Sequence, residues 1–138
     1  MLFRSTKDPE FLCKAKRPCV LIARLKYKDH NYQFAIPLRS NIPAASPKNE
    51  YFGLPPRPNT SPKNRHGIHY IKMFPVKKEF LQKYHMEGNM AATLYKAIID
   101  KNEKQIIQEC QNYLTAYENG VRSKYATDID FLLEQLCK

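Results

Sequence analysis

The chain has 138 residues, of which 43% are hydrophobic, so it can fold as one domain around a single core. It carries 23 lysines and arginines against 13 acidic residues, which gives a formal net charge of +10. No stretch approaches the roughly 18 apolar residues that a membrane span needs, and the first residues lack the apolar segment of a secretory signal. These features predict a cytoplasmic protein with a polyanionic partner and no membrane association.

The cysteines and glycines offer no metal or cofactor site. Cys13, Cys19, Cys110 and Cys137 form no C-x-x-C pair and no zinc-type spacing with histidine, so we expect free thiols. The four glycines are isolated, which leaves no glycine-rich phosphate loop, and no strand ends in a carboxylate pair that would hold Mg²⁺. The sequence therefore predicts a protein without a metal and without a cofactor.

The first predicted elements are a short strand over residues 2–5 and a short helix over residues 8–14, which Asp8 can cap and Pro9 can begin. A β-hairpin follows, because apolar-rich runs over residues 19–27 and 32–38 are separated by four polar residues. The nearly continuous first run predicts a strand buried on both faces, whereas the second run alternates like a half-buried strand.

The second hairpin strand is expected to end in a polar triplet. Pro37 has no N–H to donate, so the strand should fray or bulge there and stop at Arg39, Ser40 and Asn41. Residues 42–65 hold six of the ten prolines, and this composition predicts a long loop. Because this loop also carries aromatic and basic side chains, it is interpreted as an ordered binding loop rather than a linker.

The remaining pattern changes from strand to helix. Residues 66–74 predict a strand that Pro75 ends, followed by helices over residues 77–84, 89–99 and about 103–120, and a last helix capped by Thr127 or Asp128. The predicted fold is one α+β domain over residues 1–138, with residues 1–76 mainly strands and residues 77–138 helical. We expect a small, twisted, open β-barrel covered by C-terminal helices.

The polar residues of the two strands fit metal-independent RNA cleavage. In that reaction the ribose 2′-OH attacks the adjacent phosphorus, which requires a base, a cation for the developing charge and an acid for the 5′ oxygen. Arg39 can clamp phosphate oxygens and Ser40 can hydrogen-bond the phosphate or the 2′-OH. His69 or His66 can transfer protons near neutral pH, although alternation leaves open which face His69 takes.

Two stretches resemble a known family. Residues 35–42 (AIPLRSNI) and 64–76 (NRHGIHYIKMFPV) are similar to the endoribonuclease toxins of type III toxin–antitoxin systems, the ToxN/AbiQ superfamily. They are most similar to its CptN/TenpN-like branch. The family's Pro-Leu-Thr-Ser-type strand end is matched by residues 37–40, and its Met-x-Pro-(Val/Ile) strand end by residues 73–76. The resemblance covers about residues 17–76, and the helical half matches only in character and length.

The resemblance implies a fold related to the MazF/Kid toxins and sequence-specific endoribonuclease activity in phage defence by abortive infection. The products would carry 2′,3′-cyclic phosphate and 5′-OH ends. The implied partner is an RNA antitoxin made of pseudoknot repeats, which binds the toxin directly and whose precursor the toxin cuts. Toxin and RNA would alternate in closed hetero-oligomers.

The resemblance also assigns an essential hydroxyl to Ser40. The family's preceding threonine is Arg39 here, and its nearby lysine is missing, so we expect Arg39 to supply the cation, with Arg17, Arg65 and Lys72 as alternatives. The predicted catalytic residues are Ser40, Arg39 and His69. The predicted RNA-binding residues are Arg17, Asn41, Arg57, Lys63, Asn64, Arg65, His66 and Lys72. The alternatives are a non-catalytic RNA-binding module and a ribosome-associated basic protein.

Overall fold

The computed structural model describes residues 10–14, 17–56, 60–77 and 90–136. In this part of the chain the fold is α+β, a curled antiparallel half-barrel sheet followed by three helices, so the predicted fold class is confirmed. The strands are β1 (Glu10–Lys14), β2 (Arg17–Tyr27), β3 (His30–Pro43), β4 (Tyr51–Leu54), β5 (Asn64–His69) and β6 (Phe74–Val76). The helices are α1 (Met90–Lys101), α2 (Glu103–Glu118) and α3 (Ile129–Leu136).

The predicted hairpin is present, but its loop is shorter than expected. Tyr27 pairs with His30, so only Lys28 and Asp29 form the turn. Both have positive φ angles, 51° and 66°, which is the backbone of a type I′ turn and matches the right-handed twist of the strands. The expected four-residue loop is therefore wrong.

Burial of the hairpin follows the sequence pattern with one difference. Residues 20–23 of β2 are buried on both faces, as predicted. In β3, Phe34 and Ile36 belong to the main core, while Ala35 is also fully buried on the opposite face. Phe74 and Val76 of β6 pack against that second face, which explains why a strand expected to be half-buried is covered on both sides.

β3 is the central strand because it pairs with three others. Its first half lies against β2, and this pairing ends at Val20 and Pro37. β3 does not end there, contrary to the expectation from Pro37, but continues to Pro43 alongside β5. The register shifts between Arg39 and Ile42, which is a β-bulge that contains the predicted polar triplet.

The N-terminal helix prediction is wrong where it can be checked. Residues 10–14 form β1, which pairs antiparallel with β2 through Phe11–Leu21 and Leu12–Val20. Pairing with the otherwise open edge of β2 outweighs the weak helix-start signal at Asp8 and Pro9. These two residues, and the strand predicted over residues 2–5, lie outside the described residues.

The free-thiol expectation holds for one cysteine and fails for another. Cys110 is free and completely buried in α2. Cys19 takes part in a disulfide bond.

The proline-rich stretch is more structured than a loop. A 3₁₀ turn spans Lys48–Glu50, and β4 follows directly and pairs with β5. β4 approaches β5 so closely that a Cβ on Gly67 would lie 2.2 Å from the Phe52 carbonyl oxygen. Gly67 is therefore required for the curl of this end of the sheet.

The strand predicted over residues 66–74 is interrupted. β5 ends at His69, a 3₁₀ turn spans Tyr70–Lys72, and β6 resumes pairing with β3. Pro75 lies inside β6, opposite Phe34, rather than ending the strand. Helix α2 holds the 3₁₀ turn in place, since the buried Tyr70 donates a hydrogen bond of 2.7 Å from its hydroxyl to Glu109 of α2.

The predicted helices after residue 89 are confirmed, whereas most of the helix predicted over residues 77–84 lies outside the described residues. Asp128, rather than Thr127, caps α3 by accepting the Phe131 N–H. Gly120, with φ of 96°, follows the end of α2 as predicted. None of the described helices is long and apolar enough to cross a membrane.

The close contact at Gly67 predicts that a side chain at this position destabilises the fold. We expect Gly67→Ala to lower the free energy of unfolding by about 2 kcal/mol or more, because its methyl group meets backbone that cannot turn away. Gly53→Ala is the matched control in the paired strand, since its nearest neighbour would be Tyr51 Cε2 at 3.9 Å. Urea denaturation of both variants measures the difference, and equal stabilities would contradict the close approach of β4.

Candidate functional site

Four of the predicted site residues meet in one open cleft of about 590 Å³. They are Arg39 and Asn41 from the bulge of β3, His69 from the end of β5, and Lys72 from the 3₁₀ turn. The segment before β4 and the connection between α2 and α3 complete the walls. The other lining residues are Pro43, Ala45, Ser46, Pro47, Glu50, Ile71, Ser123 and Tyr125.

His69 is the buried polar group of this cleft. Only 4% of its surface is exposed, and neither ring nitrogen has a hydrogen-bond partner in the described part of the chain. Burial, together with the positive charges of Arg39 and Lys72, lowers the pKa of His69 to about 4. The imidazole is therefore neutral at pH 7 and has an unused lone pair. Unpaired, buried, titratable groups of this kind are typical of functional sites.

The orientation of His69, which the sequence left open, follows from the alternation of β5. His66 and Ile68 take the face of the core, and Gly67 and His69 take the opposite face. His66 is consequently buried on the core side and does not line the cleft. Its Nδ1 lies 2.9 Å from the Pro55 carbonyl oxygen and its ring packs 4.9 Å from the ring of Tyr95.

Arg39 and Lys72 give the cleft its positive field. Arg39 is exposed, and its guanidinium makes no ion pair or hydrogen bond with any residue that the structure describes. Lys72 donates a hydrogen bond of 2.6 Å to the Tyr125 carbonyl oxygen, which leaves two N–H groups for a ligand. A planar guanidinium and an ammonium beside a neutral imidazole form a site suited to a phosphodiester.

Ser40 stands apart from this cluster. Its neighbours Arg39 and Asn41 both line the cleft, whereas Ser40 does not, and its side chain is half-buried. Successive residues of a strand face opposite sides, so adjacency to Arg39 and Asn41 in sequence does not place the Ser40 hydroxyl in the cleft.

The other predicted RNA-binding residues fall into three sets. Asn41 joins β3 to the turn before β5, because its Oδ1 accepts the Ser61 N–H at 2.9 Å and the Asn64 Nδ2 at 3.2 Å. Lys63 and Arg65 are exposed beside this turn but do not line the cleft. Arg57 and the side chain of Arg17 lie outside the described part of the chain.

The wall opposite β3 depends on a charged cluster around Asp130. Asp130 accepts the Tyr27 hydroxyl at 2.6 Å and forms ion pairs of 3.1 Å with Lys28 and Arg122. Arg122 also lies 4.0 Å from the ring centroid of Tyr117 and donates to its carbonyl oxygen. These contacts hold the start of the connection that carries Ser123 and Tyr125, and the Thr127 N–H fixes its end on the Ile71 carbonyl.

Glu50 is the titratable residue that the sequence analysis missed. It lines the cleft from the 3₁₀ turn before β4, and burial raises the pKa of its carboxyl. A signal was present, since Glu50 is the sole acidic residue between positions 30 and 78 of a strongly basic stretch. Ser123 and Tyr125 had no such signal, because only the packing of the α2–α3 connection brings them to the cleft.

No group of three or more His, Cys, Asp or Glu side chains within the described ranges is arranged to hold a metal ion. No family model matches the chain, and comparisons with curated proteins and with solved structures found no significant match. The family resemblance therefore remains a prediction.

The electrostatics of the cleft predict how His69 titrates. We expect Arg39→Gln to raise the pKa of His69 from about 4 toward its ordinary value, because one of the two neighbouring positive charges is removed. Arg65→Gln is the control, since it removes a nearby exposed charge that does not act on His69. Imidazole resonances followed by NMR across pH 3–8, a range that spans the ordinary histidine pKa, measure both variants. Equal changes in the His69 pKa in the two variants would contradict the placement of Arg39 beside His69.

The same group predicts how stability depends on pH. The folded-state pKa of about 4 lies below the ordinary 6.5, so the unfolded chain binds an extra proton as the pH falls between these values. This group should therefore cost up to about 3 kcal/mol of stability by pH 4, a loss that is absent above pH 6.5. His69→Leu should remove that part of the acid dependence in denaturant melts at each pH. If the free energy of unfolding of His69→Leu fell with pH as steeply as that of the wild type, the buried, neutral imidazole would be contradicted.

Proposed function

We propose that this protein is a metal-independent endoribonuclease and that the cleft binds the scissile phosphate of RNA. The observation that carries the proposal is the buried, unpaired imidazole of His69 between two cations in an open cleft. A net charge of +10 adds the long-range attraction that a polyanion requires.

Each step of the reaction has a group in the cleft. The neutral His69 ring accepts the proton of the 2′-OH as O2′ attacks phosphorus and the bond from phosphorus to O5′ breaks. The guanidinium of Arg39 and the ammonium of Lys72 stabilise the negative charge that develops on the phosphoryl oxygens. O5′ takes one proton, either from the imidazolium formed on His69, which restores the neutral ring, or from the Lys72 ammonium, in which case the proton on His69 is lost to solvent. The products carry a 2′,3′-cyclic phosphate and a 5′-OH.

The low pKa of His69 fits a ligand-coupled role. Burial opposes its protonation in the free protein, Arg39 and Lys72 add to this effect, and the single negative charge of a bound phosphodiester offsets part of their positive charge. The imidazole therefore becomes a better base and can hold a proton once RNA is bound.

The biological setting that we propose is a type III toxin–antitoxin system in the cytoplasm. The resemblance of residues 35–42 and 64–76 supports this setting. In it, a pseudoknot-repeat RNA antitoxin binds the same basic cleft, is cut from its precursor by the toxin, and holds the toxin in a closed RNA–protein assembly.

A second candidate is a non-catalytic RNA-binding module. Ser40, to which the resemblance gives an essential hydroxyl, does not line the cleft, and this observation favours binding without cleavage. Both candidates predict RNA affinity that falls steeply with salt. Only the enzyme predicts cleaved products.

The deciding experiment incubates purified protein with RNA in EDTA and identifies product ends. We expect 2′,3′-cyclic phosphate ends, and we expect His69→Ala or Arg39→Ala to slow cleavage by about 100-fold or more. Arg24→Ala is the charge-matched control, because Arg24 is exposed and lies outside the cleft. Intact RNA with the wild-type protein, at concentrations that saturate binding, would leave the binding module as the better description.

Ser40→Ala separates two versions of the site. A loss as large as that of His69→Ala would give the hydroxyl the essential role that the resemblance implies. A loss below about tenfold would leave the chemistry to the residues that line the cleft, since a single hydrogen bond to a charged group contributes about 1.5–3 kcal/mol.

A further inference from the structure

A second cavity of about 360 Å³ adjoins the cleft. Glu50 and Ser123 line both cavities, so they form the shared wall. The far side of the second cavity comes from one face of α2, including Glu109, Asn112 and Tyr113. A ligand held by phosphate in the cleft therefore has this second cavity as its immediate neighbour.

Two acceptor groups in this cavity are unused. The hydroxyl of Tyr113 is buried and has no hydrogen-bond partner in the described chain. The Glu50 carboxyl likewise makes no ion pair or hydrogen bond with another residue that the structure describes. Both groups line the same cavity, and burial, together with the neighbouring Tyr117 and the Glu50 charge, raises the pKa of Tyr113.

Lys48 and Asn49 also line the cavity, and the polar groups that α2 contributes are partly engaged. Glu109 accepts the Tyr70 hydroxyl at 2.7 Å and the Gln105 amide at 2.9 Å. The Asn112 carbonyl oxygen accepts the Gln108 amide at 2.8 Å, which leaves the Asn112 amide as a donor. The cavity therefore offers a carboxylate and a phenol oxygen to an incoming ligand, with amide donors at its edge.

The rim of the cavity is apolar on the side of the α2–α3 connection. Val121 is a wall residue and is 68% exposed, although large aliphatic side chains are usually covered. Tyr125, on the neighbouring cleft, is 63% exposed. With the ring of Tyr113 and the methyl group of Ala116, Val121 gives the cavity surfaces against which a flat ring can pack.

We propose that the second cavity is a nucleobase site that selects guanine. Guanine presents N1–H and N2–H as two parallel donors on its Watson–Crick edge, and a carboxylate accepts two such bonds side by side. Adenine and cytosine present one amino donor beside an acceptor, and uracil presents one N–H between two carbonyls, so each sets an acceptor against the Glu50 carboxylate. The inference rests on the proposed function and adds the base that the ribonuclease reads beside its scissile phosphate.

Binding of the four nucleoside 3′-monophosphates tests the site without requiring cleavage. We expect guanosine 3′-monophosphate to bind wild-type protein at least tenfold more tightly than the adenosine, cytidine and uridine 3′-monophosphates, as measured by calorimetry. Glu50→Gln should reduce this preference to less than threefold, because an amide replaces one acceptor oxygen with a donor. Tyr113→Phe should weaken guanosine 3′-monophosphate binding, and Glu134→Gln, an exposed change on α3, should have no effect.

The outcomes separate this inference from the proposed activity. Equal affinities for the four nucleotides, or a guanine preference that survives Glu50→Gln in folded protein, would overturn the base site even if RNA is cleaved in EDTA. A guanine preference that Glu50→Gln removes would support the site even if RNA stays intact. Where RNA is cleaved, cut positions in a random-sequence pool should be enriched in guanosine on the 5′ side, and this enrichment should be lost in Glu50→Gln.

Discussion

The change of partner along β3 is the constraint on which the rest of the structure depends. Up to Pro37, β3 belongs to a sheet with β2, and beyond it β3 belongs to a sheet with β5. Proline at the point of exchange removes the N–H that would continue the first ladder. The sheet therefore opens into half a barrel, and the bulge between Arg39 and Ile42 lies where the two halves diverge. The cleft exists because the sheet does not close.

The cleft also carries an energetic cost that packing alone does not explain. Burying an imidazole that makes no hydrogen bond is unfavourable. Protonating that imidazole is more unfavourable still, because it is buried and two cations are nearby. The surrounding structure maintains the arrangement through Tyr70, which anchors the interrupted strand to α2, and through Asp130, which fixes the opposite wall. Rigid elements thus hold His69 in an environment that a residue with a purely structural role would not require.

The sequence predicted the parts of the molecule that depend on local chemistry. Hydrophobic periodicity indicated the hairpin and the helices, and the polar residues of the two strands indicated Arg39, His69 and Lys72 as candidate site residues, which line one cleft in the structure. The sequence-based predictions failed where pairing between residues far apart in the chain determines the local structure. β1 forms a strand because β2 has a free edge, and Ser40 does not line the cleft although Arg39 and Asn41 on either side of it do. Glu50 was missed although it is the sole acidic residue of its stretch, because only the pairing of β4 with β5 and the 3₁₀ turn before it bring the carboxyl to the cleft.

The order of the cleft residues along the chain has a consequence for synthesis. Arg39 and His69 are on strands that can pair with each other soon after they leave the ribosome, whereas the wall bearing Tyr125 arrives more than fifty residues later. That wall is held by Asp130, which must dock against Tyr27 from the far end of the described chain. A nascent polypeptide consequently has the two cations and the imidazole but no closed binding surface until translation has passed α3. Synthesis of α3, rather than formation of the sheet, sets the moment at which the cleft becomes competent.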